Sequence, residues 1–108
     1  MKINVTPKRK FLINRLGYIR NRANLSAREL SQRLGFSIAY IAKFDNGDFN
    51  IPSEVLLDAI DVCDSTPEEF FHSDISKYKE HKDLIDQYEA LSPESQETIK
   101  DLMNKLRK

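Results

Sequence analysis

Leu12, Leu16, Ile19 and Ala23 recur at helical spacing, and this stripe predicts an amphipathic helix over residues 8–23. Ser26, with Glu29 three residues on, reads as a capping box that opens a second helix, with Leu30 and Leu34 on its inner side and Gly35 at its end. Ser37 is expected to cap a third helix whose inner positions are Ile41 and Phe44 and which Asn46-Gly47 stops. A fourth starts near Pro52 and buries Val55, Leu56, Ala59, Ile60 and Cys63. Thr66-Pro67-Glu68-Glu69 caps a short fifth, which carries Phe70 and Phe71. The stretch "HSDISKYKEHKD" then reads as a polar connector. Leu84, Ile85 and Tyr88 mark a further helical segment, and Ser92-Pro93 opens another with Ile99, Leu102, Met103 and Leu106 on one stripe. These two stripes need a partner surface, either the first five helices or a second chain.

Three glycines, four prolines and few β-branched alternations make this an all-α chain. The division expected is a domain over 8–72 and a helical extension over 73–108. No apolar run reaches the roughly 18–20 residues of a membrane span, and "MKINVTPKRK" has no apolar leader core, so a cytoplasmic location is expected. Cys63 is the only cysteine, which excludes an intrachain disulfide and leaves a zinc site without its thiolates. A formal net charge of zero conceals an asymmetry. Residues 1–50 carry ten Lys/Arg against three acids, net +7, and residues 51–108 carry seven against fourteen, net −7. The basic half should attract polyanions.

Residues 27–46 hold what a helix-turn-helix requires: a small residue where the second helix crosses the first, a turn glycine, and apolar residues that lock the pair. Ser31 is the small residue, Gly35 the turn, and Leu30, Leu34, Phe36, Ile41 and Phe44 the locking set.

The segments "IRNRANLSARELSQRLGFSIAYIAKFDNG" and "LLDAIDVCDSTPEEFF" resemble the lambda-repressor-like (XRE, or Cro-type) helix-turn-helix family over residues 10–71. The resemblance implies a five-helix lambda-repressor-like domain that binds double-stranded operator DNA as a homodimer, with residues 37–45 in the major groove. It further implies an ion pair between Arg20 on the first helix and Asp45 at the end of the third. Asp45 is a methylene shorter than the family's usual glutamate, so that bridge should be longer or water-mediated.

In the family, polar side chains read bases at positions matching Ala27, Ile38, Ala39 and Lys43, and of these only Lys43 can donate a hydrogen bond here. Bidentate readout of guanine or adenine is therefore not expected, whereas Ile38, Ala39 and the Tyr40 ring can contact thymine methyls. Ser26, Asn46, Asn50 and the amides at helix starts are expected to contact phosphates, and Ser37 is a further DNA-binding candidate. Arg28 and Lys43, with Lys8, Lys10, Arg15, Arg22 and Arg33, are candidates for the flanking backbone. Asp48 places a negative charge where the family often has a lysine.

Three explanations of the apolar Ile38-Ala39-Tyr40 compete: methyl readout on A·T-rich DNA, a protein-binding patch on a repurposed helix-turn-helix, and a face covered by the C-terminal helices. The first makes the chain a transcriptional regulator, in the sense of a repressor, whose homodimer contact is Ile99, Leu102, Met103 and Leu106. The second makes it an interaction module such as an antirepressor or an antitoxin-like partner. An enzyme is not expected: Glu68-Glu69 and Asp61/Asp64 fit capping and solubility, and Cys63 sits in an apolar setting. His72 and His81 have no third ligand at metal spacing, and no cofactor or small-molecule ligand is implied.

Overall fold

Thr6 begins the first helix, its Oγ1 accepting from the Arg9 amide at 3.2 Å while Pro7 takes the first helical position, where a missing N–H costs nothing. In the computed structural model, which describes residues 5–107, every regular element is a helix. Lys2 and Lys108, both counted in the charge asymmetry, lie outside the described residues. The α-helices are α1 (Pro7–Arg22), α2 (Ala27–Arg33), α3 (Tyr40–Asp45), α4 (Ser53–Val62), α5 (Pro67–Phe70), α6 (Tyr78–Glu89) and α7 (Pro93–Leu106). A single 3-10 turn, Ile75–Lys77, precedes α6. The chain divides into two compact units on either side of the Ile75–Ser76 bond.

In the first unit α1 packs on α3, α4 and α5, α2 packs on α3 and α4, and α4 packs on α5. Leu16 and Ile19 of α1, Leu30 of α2, Ile41 and Phe44 of α3, Ile60 of α4 and Phe70 of α5 meet in one buried core. Each comes from the apolar stripe of its own helix, so burial of these stripes holds the unit together. Ser26 and Glu29 exchange hydrogen bonds of 3.0 Å in a complete capping box at the start of α2. Gly35 ends the α2 turn at φ 82° and Gly47 follows α3 at φ 80°, backbone conformations that an L side chain strains.

The structure changes four details of the pattern. The third helix starts at Tyr40 rather than after Ser37: Ala39 is its N-cap without a side-chain hydrogen bond, and the Tyr40 amide donates to the Ser37 carbonyl in a preceding turn. Phe36 does not lock the helix pair; it is 40% exposed and stacks on Tyr40. Of the two phenylalanines expected on the fifth helix only Phe70 is in it and buried, while Phe71, its C-cap, lies half-exposed against Phe11, with ring centroids 6.2 Å apart. The polar connector is also shorter than its composition indicated, because α6 already begins at Tyr78.

The second unit is a helical hairpin. Gln96 of α7 donates to the Tyr88 carbonyl at 3.0 Å and to the Leu91 carbonyl at 3.3 Å, closing the turn. Farther from that turn Leu84 and Ile85 face Lys100 and Met103, so α6 and α7 run antiparallel. Neither helix has a fully buried residue. Leu84, Ile85, Leu102, Met103 and Leu106 all remain more than half exposed.

Candidate nucleic-acid interface

Ser31 joins the two helices that carry the candidate residues. Its hydroxyl donates to the Ala27 carbonyl at 2.7 Å and accepts from the Ile41 amide at 3.0 Å. An α3 N-terminal amide with no partner of its own within the helix is thus satisfied by a fully buried α2 side chain. A small residue was needed at this crossing, and its hydroxyl adds a positional lock.

With Ile41 and Phe44 turned inward, the exposed side of α3 consists of Ala42, Lys43 and the C-cap Asn46. Ile38, 49% exposed, precedes the helix in the turn, and Ala39 is half-buried. Ala42 is absent from the sequence candidates because these followed the positions at which the resembled family reads bases; its place next to the inward Ile41 is the signal that identifies it. Ser26, Arg28, Ser37 and Asn50 are exposed, while Ala27 is half-buried.

Tyr40 does not join Ile38 as an outward reader. Its ring stacks on Phe36 with centroids 4.2 Å apart and meets Phe49 at 4.9 Å, and Phe49 in turn reaches Phe44 at 6.0 Å. The tyrosine therefore belongs to an aromatic series leading into the core, and burial raises its hydroxyl above the ordinary range. Ser26 is likewise partly committed. Its amide donates to Glu29 and its Oγ accepts from the Glu29 amide, leaving only the hydroxyl proton for another acceptor. Those same bonds hold the Glu29 carboxyl below its usual range.

Two of the flanking cations are engaged inside the fold. Arg15 Nη1 donates to the Phe70 carbonyl at 2.7 Å and to the His72 carbonyl at 2.5 Å, its Nη2 reaches the Ser73 carbonyl at 3.3 Å, and its guanidinium lies over the Phe11 ring. Arg22 grips Glu69 with two parallel bonds of 2.8 and 2.6 Å. Glu69 is buried and also accepts from Ser65 Oγ at 2.5 Å, so it is an interior anchor rather than only the third residue of a cap. The bidentate bond with Glu69 raises the Arg22 pKa. Lys8, Lys10, Arg28, Arg33 and Lys43 are exposed.

Arg20 and Asp45 approach to 3.6 Å, too long for a hydrogen bond. Arg20 Nη1 instead donates to the Leu25 carbonyl at 3.0 Å and ties down the α1–α2 connection. Arg20 Nε and Asp45 Oδ1 are buried without a hydrogen-bond partner. Burial raises the Asp45 carboxyl above its ordinary value, and Arg20 only partly opposes that shift.

Burial also pushes the Cys63 thiol upward, which disfavours the nucleophilic thiolate. Among the described residues no group of three or more His, Cys, Asp or Glu side chains is placed to hold a metal ion, and no helix is long and apolar enough to cross a membrane. Ile99 is half-buried within the hairpin, whereas Leu102, Met103 and Leu106 remain exposed. No family model, curated protein or solved structure matches the chain.

Proposed function

We propose that the chain is a lambda-repressor-like, DNA-binding transcriptional regulator of the cytoplasm, a repressor that binds its operator as a homodimer. The observation that carries this reading is the Ser31 lock. A short helix, fixed to its predecessor by one buried hydroxyl, turns Ala42, Lys43 and Asn46 outward with Ile38 just ahead of it. That arrangement suits a major groove, where a lysine meets phosphate or guanine and apolar groups meet thymine methyls. Exposed Lys8, Lys10, Arg28 and Arg33 lie in the basic half of the sequence and supply the sequence-independent attraction. Dimer contacts through Ile99, Leu102, Met103 and Leu106 would set two such helices about 34 Å apart, one turn of DNA. The mechanism is occupancy of a site and involves no catalytic step, cofactor or metal.

Titration of DNA by fluorescence anisotropy separates the roles. Lys43→Ala should weaken binding to every duplex and lower the salt slope by about one. Ile38→Ser should cost about 1 kcal/mol on the thymine-containing operator and nothing on its uracil-substituted copy, with the slope unchanged. A wild type that binds all duplexes equally weakly, together with an Ile38→Ser that changes nothing, contradicts the reading. The exposed pair Phe36 and Ile38, with acidic Asp48 nearby in sequence, favours the second reading, a protein-interaction module. In that case Ile38→Ser abolishes a protein complex and leaves DNA binding untouched.

A further inference from the structure

The α6–α7 hairpin combines an uncovered apolar face with a lengthwise separation of charge. Residues 84–97, around its turn, hold four acids (Asp86, Glu89, Glu94 and Glu97) and no Lys or Arg, net −4. The remainder, residues 76–83 and 98–108, holds seven Lys/Arg against three acids, net +4. Because the two helices run antiparallel, both acidic segments fall at the closed tip and both basic segments at the open root. Two ion pairs along α6, Lys77–Glu80 and Lys82–Asp86, cancel equal numbers of each sign and leave that polarity in place.

We infer that the occupant of the apolar face is the hairpin of a second copy, docked tip to root, so that the pair forms an antiparallel four-helix bundle. This rests on the homodimer in the proposed function and adds its orientation. A two-fold axis across the face brings the same patch of each chain together, as closed dimers require. In the tip-to-root arrangement each acidic tip meets a basic root twice over, while the parallel arrangement opposes acid to acid and base to base. The apolar surface supplies the association and the charges choose its direction. Leu84, Ile85, Leu102, Met103 and Leu106 are the side chains this would cover. A hairpin of this size without a buried residue gains the core it lacks on its own.

The test is a charge-reversal cycle on the full-length chain, read as the dimer Kd by sedimentation equilibrium in low salt. One variant neutralises the tip (Glu89→Lys with Glu97→Lys), one neutralises the root (Lys100→Glu with Arg107→Glu), and one carries all four changes. Glu94 is left in place because an acid in the first turn of α7 supports that helix. Each two-site variant should dimerise roughly tenfold more weakly than wild type, and the four-site variant, neutral at both ends, should be no tighter than either, whereas a two-site variant tighter than wild type would mark the parallel arrangement. The differences should disappear near 1 M salt, where the screening length falls to about 3 Å. Equal helical circular dichroism for all four forms shows that the hairpin persists. If all four are dimers with one Kd, the orientation is wrong and the homodimer stands. If wild type is monomeric throughout, the homodimer falls as well.

Discussion

Glu69 shows how a single side chain can be read as surface and prove to be interior. In sequence it is the third residue of a capping box, and Thr66 Oγ1 does accept from its amide at 3.2 Å. Its carboxylate, however, faces inward to Arg22 across 47 positions of chain, a pairing that no local pattern announces. Glu69→Gln keeps the shape but breaks the charge pair and leaves a partly buried guanidinium, which should cost about 2 kcal/mol. By thermal circular dichroism the melting point should then fall by about 10 °C, and a fall of under about 2 °C would show the pair to be dispensable. Asp45 predicts the opposite pH behaviour from an ordinary ion-paired acid. Its pKa is higher in the folded chain than the ordinary 3.8. Folding therefore favours its protonated form, and its contribution to stability is greatest below 3.8 and lost as pH rises through the folded value. Relative to wild type, Asp45→Asn should accordingly gain melting temperature as pH rises from below 3.8 through the folded value. A relative loss over that window would mean that Arg20 outweighs the cost of burial.

At the scale of elements, legibility followed locality. The α2 capping box, the glycine after α2 and the apolar stripes of α1 and α4 are written within a few residues of one another, and sequence periodicity locates them. The start of α3 was not legible, because Ser37 looks like a cap while the amide that needs satisfying, Ile41, is answered by Ser31 from another helix. The left-handed residues just after α1 and α4, Asn24 and Asp64, were not legible for a related reason. Both residues take φ 59° without being glycine, and only the surrounding packing requires it. The role of Ser31 also makes a prediction of its own. Ser31→Ala fits the space but strands the buried Ile41 amide, so it should cost about 1–2 kcal/mol and loosen α3 before the rest of the unit. Amide exchange should accelerate at Ile41 to Phe44 more than in α1 or α4. Uniform acceleration would place the hydroxyl's contribution in global stability instead.

For the whole molecule, the charge asymmetry drew attention to a polyanionic partner, yet it could not say which cations remain available. Arg15, Arg20 and Arg22 serve the fold of the first unit, leaving Lys8, Lys10, Arg28, Arg33 and Lys43 exposed among the cations considered. The exposure of Ile38 and Lys43 was legible in the pattern, whereas the turn of Tyr40 into an aromatic series and the outward position of Ala42 were not. Binding of DNA by the exposed side of α3 is the central claim. Its most direct test is selection from random-sequence duplexes with the full-length chain, followed by titration of the enriched sequence over a range of salt. The account predicts a palindromic site, rich in A·T at the positions facing Ile38 and Ala42, whose affinity falls steeply as salt rises. Enrichment of no sequence, with binding as weak as to bulk duplex, would contradict it.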